Sequence, residues 1–199
     1  MTAPRPTRRR EVGARALDWW TQYCRPEDGD PAVRARLRRC RSATDALGVP
    51  AAIDLARRTG AVGAGREVVA LDLARVLAHV TANTGEPPMR AAGWTRFPGD
   101  RRESDAGDER PRLSEARFRR LVRAERGEEL TAAFTRLVAL LDGGVNVPRL
   151  AEDFWWWSDQ TRQRWAFDYY AAGVAAPPDA DDASPDSAAP PTPAEDAAA

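Results

Sequence analysis

A chain of 199 residues is long enough for one domain or two small ones, and at 43% hydrophobic content it can bury a substantial core. All thirty basic residues are arginine, which excludes a Schiff-base lysine and a phosphate-loop lysine, and no apolar run approaches the ~18 residues of a membrane span. The formal charge of zero hides an asymmetry: residues 174–199 carry six acids and no base, leaving thirty arginines against twenty-four acids in the rest, a balance of +6.

Residues 1–10 are rich in proline and arginine and read as a flexible basic N-terminus, with no apolar stretch behind them to make a secretory signal, so a cytoplasmic location is expected. A first helix is predicted over Glu11–Tyr23, with Val12, Ala16, Trp19, Trp20 and Tyr23 on one face. Because Trp19 and Trp20 adjoin, one of them is expected to face away from the core. Asp30 caps a second helix with Pro31 at its first position; its stripe runs Val33, Leu37, Cys40, Thr44, Leu47, and Gly48 ends it. Pro50 opens a third helix ending at Gly60. A fourth is predicted over Arg66–Asn83, with Val69, Leu73, Val76, Leu77 and Val80 inward and Gly85 past its end. These make an N-terminal helical bundle over residues 11–85.

Residues 86–110 are dominated by proline, glycine and charge and read as a linker, pinned to the body by Trp94 and Phe97. A fifth helix follows, N-capped by Ser114, with Leu113 and Phe118 as a hydrophobic staple. A sixth covers Glu128–Leu141. A seventh starts near Pro148 and carries Trp155–Trp157, and an eighth runs from Asp159 to Gly173. These form a C-terminal bundle over 111–173, and the low-complexity acidic tail from 174 is expected to be disordered. No stretch alternates long enough to be a strand. The expected fold is all-α: about eight helices in two small bundles side by side.

The fifth helix poses the functional question. RPRLSEARFRRLVRAER, residues 110–126, holds seven arginines and two glutamates. On an ideal helix Phe118, Leu121 and Val122 share one face, Arg119, Arg123 and Arg126 form a row on its flank, and Arg120 lies outermost. The second helix repeats the design with Arg34, Arg38 and Arg41, and Arg36 and Arg39 beside them. Like charges at i, i+4 repel by a few tenths of a kcal/mol per pair. Two such rows in a +6 body point to anion binding, and arginine suits it because its planar fork bridges phosphate oxygens.

The remaining signals are weaker. His79 is the only histidine and has no nucleophile or carboxylate partner in view, so it reads as a boundary residue. Glu152 and Asp153 adjoin and point to different faces. Cys24 and Cys40 make no metal pattern. GAVGAGRE, residues 60–67, lacks a preceding strand or a lysine and reads as an interhelical turn. No catalytic, metal or cofactor site is expected. Core packing accounts for five of the seven tryptophans, and the outward ones suit protein contacts.

PRLSEARFRRLVRAER resembles the most characteristic segment of the CasB family, the small subunit of the type I-E CRISPR Cascade complex. Arg112, Glu115, Arg117, Leu121, Val122, Arg123, Ala124, Glu125 and Arg126 fall on that pattern. ALDWWTQY is similar to the family's opening aromatic helix, and LRRCRSATDALGVPAAIDLA to its next region, which places Arg38 and Arg39 on a matched pair. Trp156-Trp157 and Arg162 follow in order. The resemblance covers about residues 14–172; Pro111 stands where the family has Gly, and the acidic tail has no counterpart in it. It implies a non-catalytic helical subunit, present as a pair beside other Cascade subunits. Such a subunit helps hold the crRNA–target duplex and the displaced non-target strand. Arg38, Arg39, Arg119, Arg123 and Arg126 are then the main expected contacts, with Arg34, Arg41, Arg112, Arg120 and Arg162 as further ones. A helical transcription regulator and a protein-only adaptor are the alternatives; the first needs base-reading side chains, where the fifth helix has arginine only.

Overall fold

A computed structural model describes residues 6–100 and 110–172. The acidic tail and the most charged part of the linker lie outside them. The fold is all-α, with ten helices among the described residues rather than about eight: α1 Pro6–Tyr23, α2 Pro31–Arg39, α3 Ala43–Ala46, α4 Pro50–Arg58, α5 Glu67–Leu77, α6 Pro88–Ala92, α7 Glu115–Arg123, α8 Glu128–Leu140, α9 Val147–Trp155 and α10 Asp159–Tyr169.

Most differences from the expected elements have local causes. α1 begins at Pro6, so residues 6–10 are helical where a loose segment was expected. The second helix stops at Arg39, because Cys40 takes an extended conformation, and Ser42 and Asp45 then form a capping box that starts α3. Leu47, expected on the inward stripe, is therefore exposed. The linker contains α6, begun by Pro88 and anchored by buried Met89 and Ala92. Trp94 is half-buried against the core, whereas Phe97 is exposed. Ser114 occupies the N-cap of α7 but makes no capping hydrogen bond, while Leu113 and Phe118 are both buried, as a staple requires.

The fourth helix ends early. Ala82–Asn83 instead pairs in parallel with Gly144–Val145, two short strands β1 and β2 in register Ala82↔Gly144 and Asn83↔Val145. Two-residue strands leave no alternation to read. Gly143 beside them has φ +80°, and a side chain there would run into Thr81.

α5 is the hub, packing against α2, α3, α4, α8 and α9, and every residue from Ala70 to Leu77 is buried. α1 lies along α9 so closely that a Cβ on Gly13 would stand 2.7 Å from Glu152 Oε1. α1 also touches α2 and α4, which is why Trp19 and Trp20 are both buried, contrary to the expectation that one faces out. Their indoles donate to Ala51 O at 2.7 Å and Val80 O at 3.3 Å. The buried apolar residues on either side of the linker belong to one contiguous core.

Candidate nucleic-acid interface

The helix breaks decide what the arginine rows become. In α2, Arg34 and Arg38 sit one turn apart and both donate through Nε to Ala78 O, at 3.2 and 3.0 Å. Ala78 is the C-cap of α5, so two guanidinium groups rest on the negative end of that helix. Arg36 is held on Gly48 O at 2.6 Å. Arg39 is exposed and makes no hydrogen bond or ion pair with the described residues. Arg41 falls beyond the end of α2 and leaves the row; its backbone N–H donates to Asp45, while its side chain is exposed with no partner among the described residues.

His79 follows this pair. Burial first, then the charges of Arg38, Arg34 and Arg75, hold its imidazole below its usual value of 6.5. The folded chain therefore takes up a proton here less readily than the unfolded chain. The stability this contributes is complete above pH 6.5 and is lost as pH falls through that value toward the lower folded one. Denaturant titrations at neutral and mildly acidic pH are expected to show a stability loss that His79→Gln reduces; an identical loss in both chains contradicts this.

In α7, Arg119 pairs with Glu115 at 2.9 Å on the surface. Arg117, Arg120 and Arg123 are exposed and unpartnered among the described residues. Arg112, just ahead of the helix, is tied to Asp142 at 2.6 Å and Leu140 O at 2.9 Å. The helix ends at Arg123 because Ala124 is extended, so Arg126 is not on the row with Arg119 and Arg123. It turns toward α9 and donates to Trp157 O at 2.8 Å and Trp155 O at 3.2 Å. Burial, then the charges of Arg66 and Arg162, pull its pKa down.

Arg162 completes this brace. It donates to Ala124 O at 3.2 Å and Asp159 at 2.8 Å, with its guanidinium 5.3 Å from the Trp157 ring centroid. Trp157 Nε1 donates to the same Ala124 carbonyl at 2.9 Å. Arg66 approaches from the turn before α5, donating to Trp155 O at 3.0 Å and lying 4.4 Å from the Trp156 ring centroid. The structure thus gathers Arg66, Arg126 and Arg162 around the tryptophan run. The reading of residues 60–67 as a plain turn missed Arg66, for which a single arginine in a glycine-rich stretch gave no signal.

Two buried ionic groups were also missed. Arg75 joins Asp72 at 2.7 Å and clasps Glu128 with two bonds of 2.6 and 2.9 Å, linking α5 to the start of α8. Asp153, 1% exposed, accepts from Arg164 and from Trp165 Nε1, the latter at 2.5 Å, with Arg149 at 3.6 Å. A cleft of about 280 Å³ opens beside Arg75, lined by Leu37, Cys40, His79, Glu128, Thr131 and Arg136 among others. Among the described residues no three His, Cys, Asp or Glu side chains cluster as metal ligands.

Residues 33–170 match the model of the family described as CRISPR-associated protein Cse2, well over half of the chain. The chain belongs to the Cse2 family. This is the type I-E CasB family that the α7 segment resembles. The structure is similar to a chain in the crystal structure of E. coli Cascade bound to a PAM-containing double-stranded DNA target. The TM-score is 0.57 and the identity 19%, over 80% of this chain and 96% of that one, a likeness in fold. No curated protein sequence matches it.

Within this Cse2-family chain the arginines divide by what they touch. Arg39, Arg41, Arg120 and Arg123 are exposed, and their guanidinium groups have no hydrogen-bond or ion-pair partner among the described residues. Arg34 and Arg38 use Nε on Ala78 O and make no other hydrogen bond among the described residues. Arg119 and Arg112 are in surface ion pairs, worth little and easily exchanged for another anion. Arg126 and Arg162 are engaged with backbone carbonyls that link the end of α7 to the end of α9.

Proposed function

We propose that this chain is the non-catalytic small subunit of a cytoplasmic type I-E Cascade surveillance complex. It binds nucleic-acid backbones without sequence preference, and so helps hold the guide RNA–target duplex and the displaced strand. The observation that carries this reading is the family match, in a lysine-free chain that leaves arginines on α2 and α7 exposed and unpartnered among the described residues. Formation of the open loop exchanges one duplex for another of similar stability, so a modest number of backbone contacts tips the balance. Arg39, Arg41, Arg120 and Arg123 would supply the most freely available charges. Arg34 and Arg38 would offer the N–H groups left over from Ala78, and Arg119 would exchange Glu115 for phosphate. Arg112, Arg126 and Arg162 are proposed as weaker contributors whose first task is to hold the α7–α9 region. The partners are the other Cascade subunits, the crRNA, the two target strands and a second copy of this chain.

The test is co-expression with the other subunits of a type I-E complex and a guide RNA. Co-purification in a particle that also binds random single- and double-stranded DNA weakly, with an affinity falling steeply in salt, is expected. A chain that stays out of the particle, or one that prefers a single DNA sequence, overturns the reading.

A further inference from the structure

The arginine face of α7 has a candidate occupant in the same chain. Arg117, Arg120 and Arg123 are exposed without partners among the described residues, and Arg119 is held only by Glu115. The chain leaving α10 starts beside that helix. Tyr169 stacks flat on Phe118 of α7 with centroids 4.1 Å apart, and its hydroxyl donates to Leu113 O at 2.7 Å. Tyr170 meets the same Phe118 ring edge-on at 6.0 Å.

Beyond this anchor, residues 174–199 contain Asp179, Asp181, Asp182, Asp186, Glu195 and Asp196 and no base. Asp179 is ten residues from Tyr169. A chain of that length spans up to ~33 Å, while the nine residues of α7 are only ~14 Å long. Every arginine of the helix is within reach of several of these acids.

We propose that the acidic segment 174–199 lies on the arginine face of α7 and competes there with nucleic-acid phosphates. The competition rests on the reading of these arginines as phosphate contacts; the contact does not. Tethering holds the acids at an effective concentration on the order of millimolar. Exposed pairs are screened over ~10 Å at 0.1 M salt, so the contact is strongest in dilute buffer. Occupying α7 for about 70–90% of the time weakens apparent nucleic-acid affinity about three- to tenfold. A segment that only raised solubility would leave that affinity unchanged.

The contact is tested directly with a spin label on Ser187→Cys in a Cys40→Ser background of the full chain. Cys24 stays silent because it is buried and its thiol is pushed up to about 12. The backbone amide signals of α7 are expected to broaden at about 50 mM salt and to recover at about 500 mM, where screening is nearly complete. They should also recover when the six acids are replaced by amides. Absence of broadening overturns the contact whatever the DNA result. The competition is tested by the affinity of the six-amide chain for random-sequence DNA, expected to exceed that of the parent about three- to tenfold at low salt and to converge with it at high salt. Equal affinity at low salt overturns the competition while leaving the proposed function standing. Broadening in a chain that binds no nucleic acid in either form removes the proposed function and leaves the contact.

Discussion

Asp153→Ala is expected to be the most destabilising single change in the molecule. The carboxylate is 1% exposed, at the meeting of α9 and α10. It is the acceptor for the indole of buried Trp165 and the counter-charge for Arg164 and Arg149. Burial outweighs those partners and pushes the Asp153 pKa up, while burial of Arg164 pulls the Arg164 pKa down. Removing the acid leaves an indole N–H and a partly buried guanidinium with nothing to accept from them. Breaking a buried pair in this one-sided way costs about 3–5 kcal/mol. At about 2–4 °C per kcal/mol for a chain of this size, the melting temperature should fall by roughly 6–20 °C. Asp153→Asn keeps an acceptor for Trp165 and should lose less. A change of only a degree or two on Asp153→Ala would mean that Asp153 is not the centre of this network.

The second large effect is on binding. Replacing Arg39, Arg41, Arg120 and Arg123 together by Gln removes four charges that no described residue shares and keeps the aliphatic stems. Each phosphate contact contributes about five- to eightfold in affinity at 0.1 M salt, so the four together are worth about 600- to 4,000-fold. Stability should hardly change. Arg39, Arg120 and Arg123 sit in the last turns of α2 and α7, where an exposed, salt-screened positive charge gains only ~0.3 kcal/mol from the helix dipole, and removing the like-charge repulsion offsets part of that. The expected melting shift is within about 3 °C. The contrast is Arg126→Gln, which takes the donor from the Trp157 carbonyl, leaves the Trp155 carbonyl to Arg66 alone, and should lower the melting temperature more than it lowers affinity.

Helix-period stripes such as Leu130, Phe134, Leu137 and Val138 are legible in sequence because each position is buried or not by its own angle on the helix. The breaks are less so. Ser42 and Asp45 spell a capping box that argues against a continuous second helix, whereas Ala124 ends α7 with neither Gly nor Pro at the break. Those two breaks take Arg41 and Arg126 out of rows that looked regular. What the arginines touch is harder still, since Ala78 O, Trp155 O and Trp157 O come from elements distant in sequence. Arg75 and Glu128 are 53 residues apart, so their bond leaves no local trace. The α7 motif reveals the family, while the structure distinguishes motif arginines that face solvent, such as Arg123, from those that hold backbone, such as Arg126 and Arg162.

The central claim, that the exposed arginines of α7, of the end of α2 and of the turn after it bind phosphates, is tested most directly by the salt dependence of DNA affinity. The measurement compares the parent with the Arg39→Gln/Arg41→Gln/Arg120→Gln/Arg123→Gln chain on one random-sequence duplex and one single strand, with melting curves of both proteins alongside. The log–log slope is expected to become shallower by ~0.7–0.9 for each phosphate no longer neutralised, about 3 in all, on either substrate and at a nearly unchanged melting temperature. An unchanged slope with an unchanged melting temperature would contradict the claim and return these four residues to an ordinary solvated face.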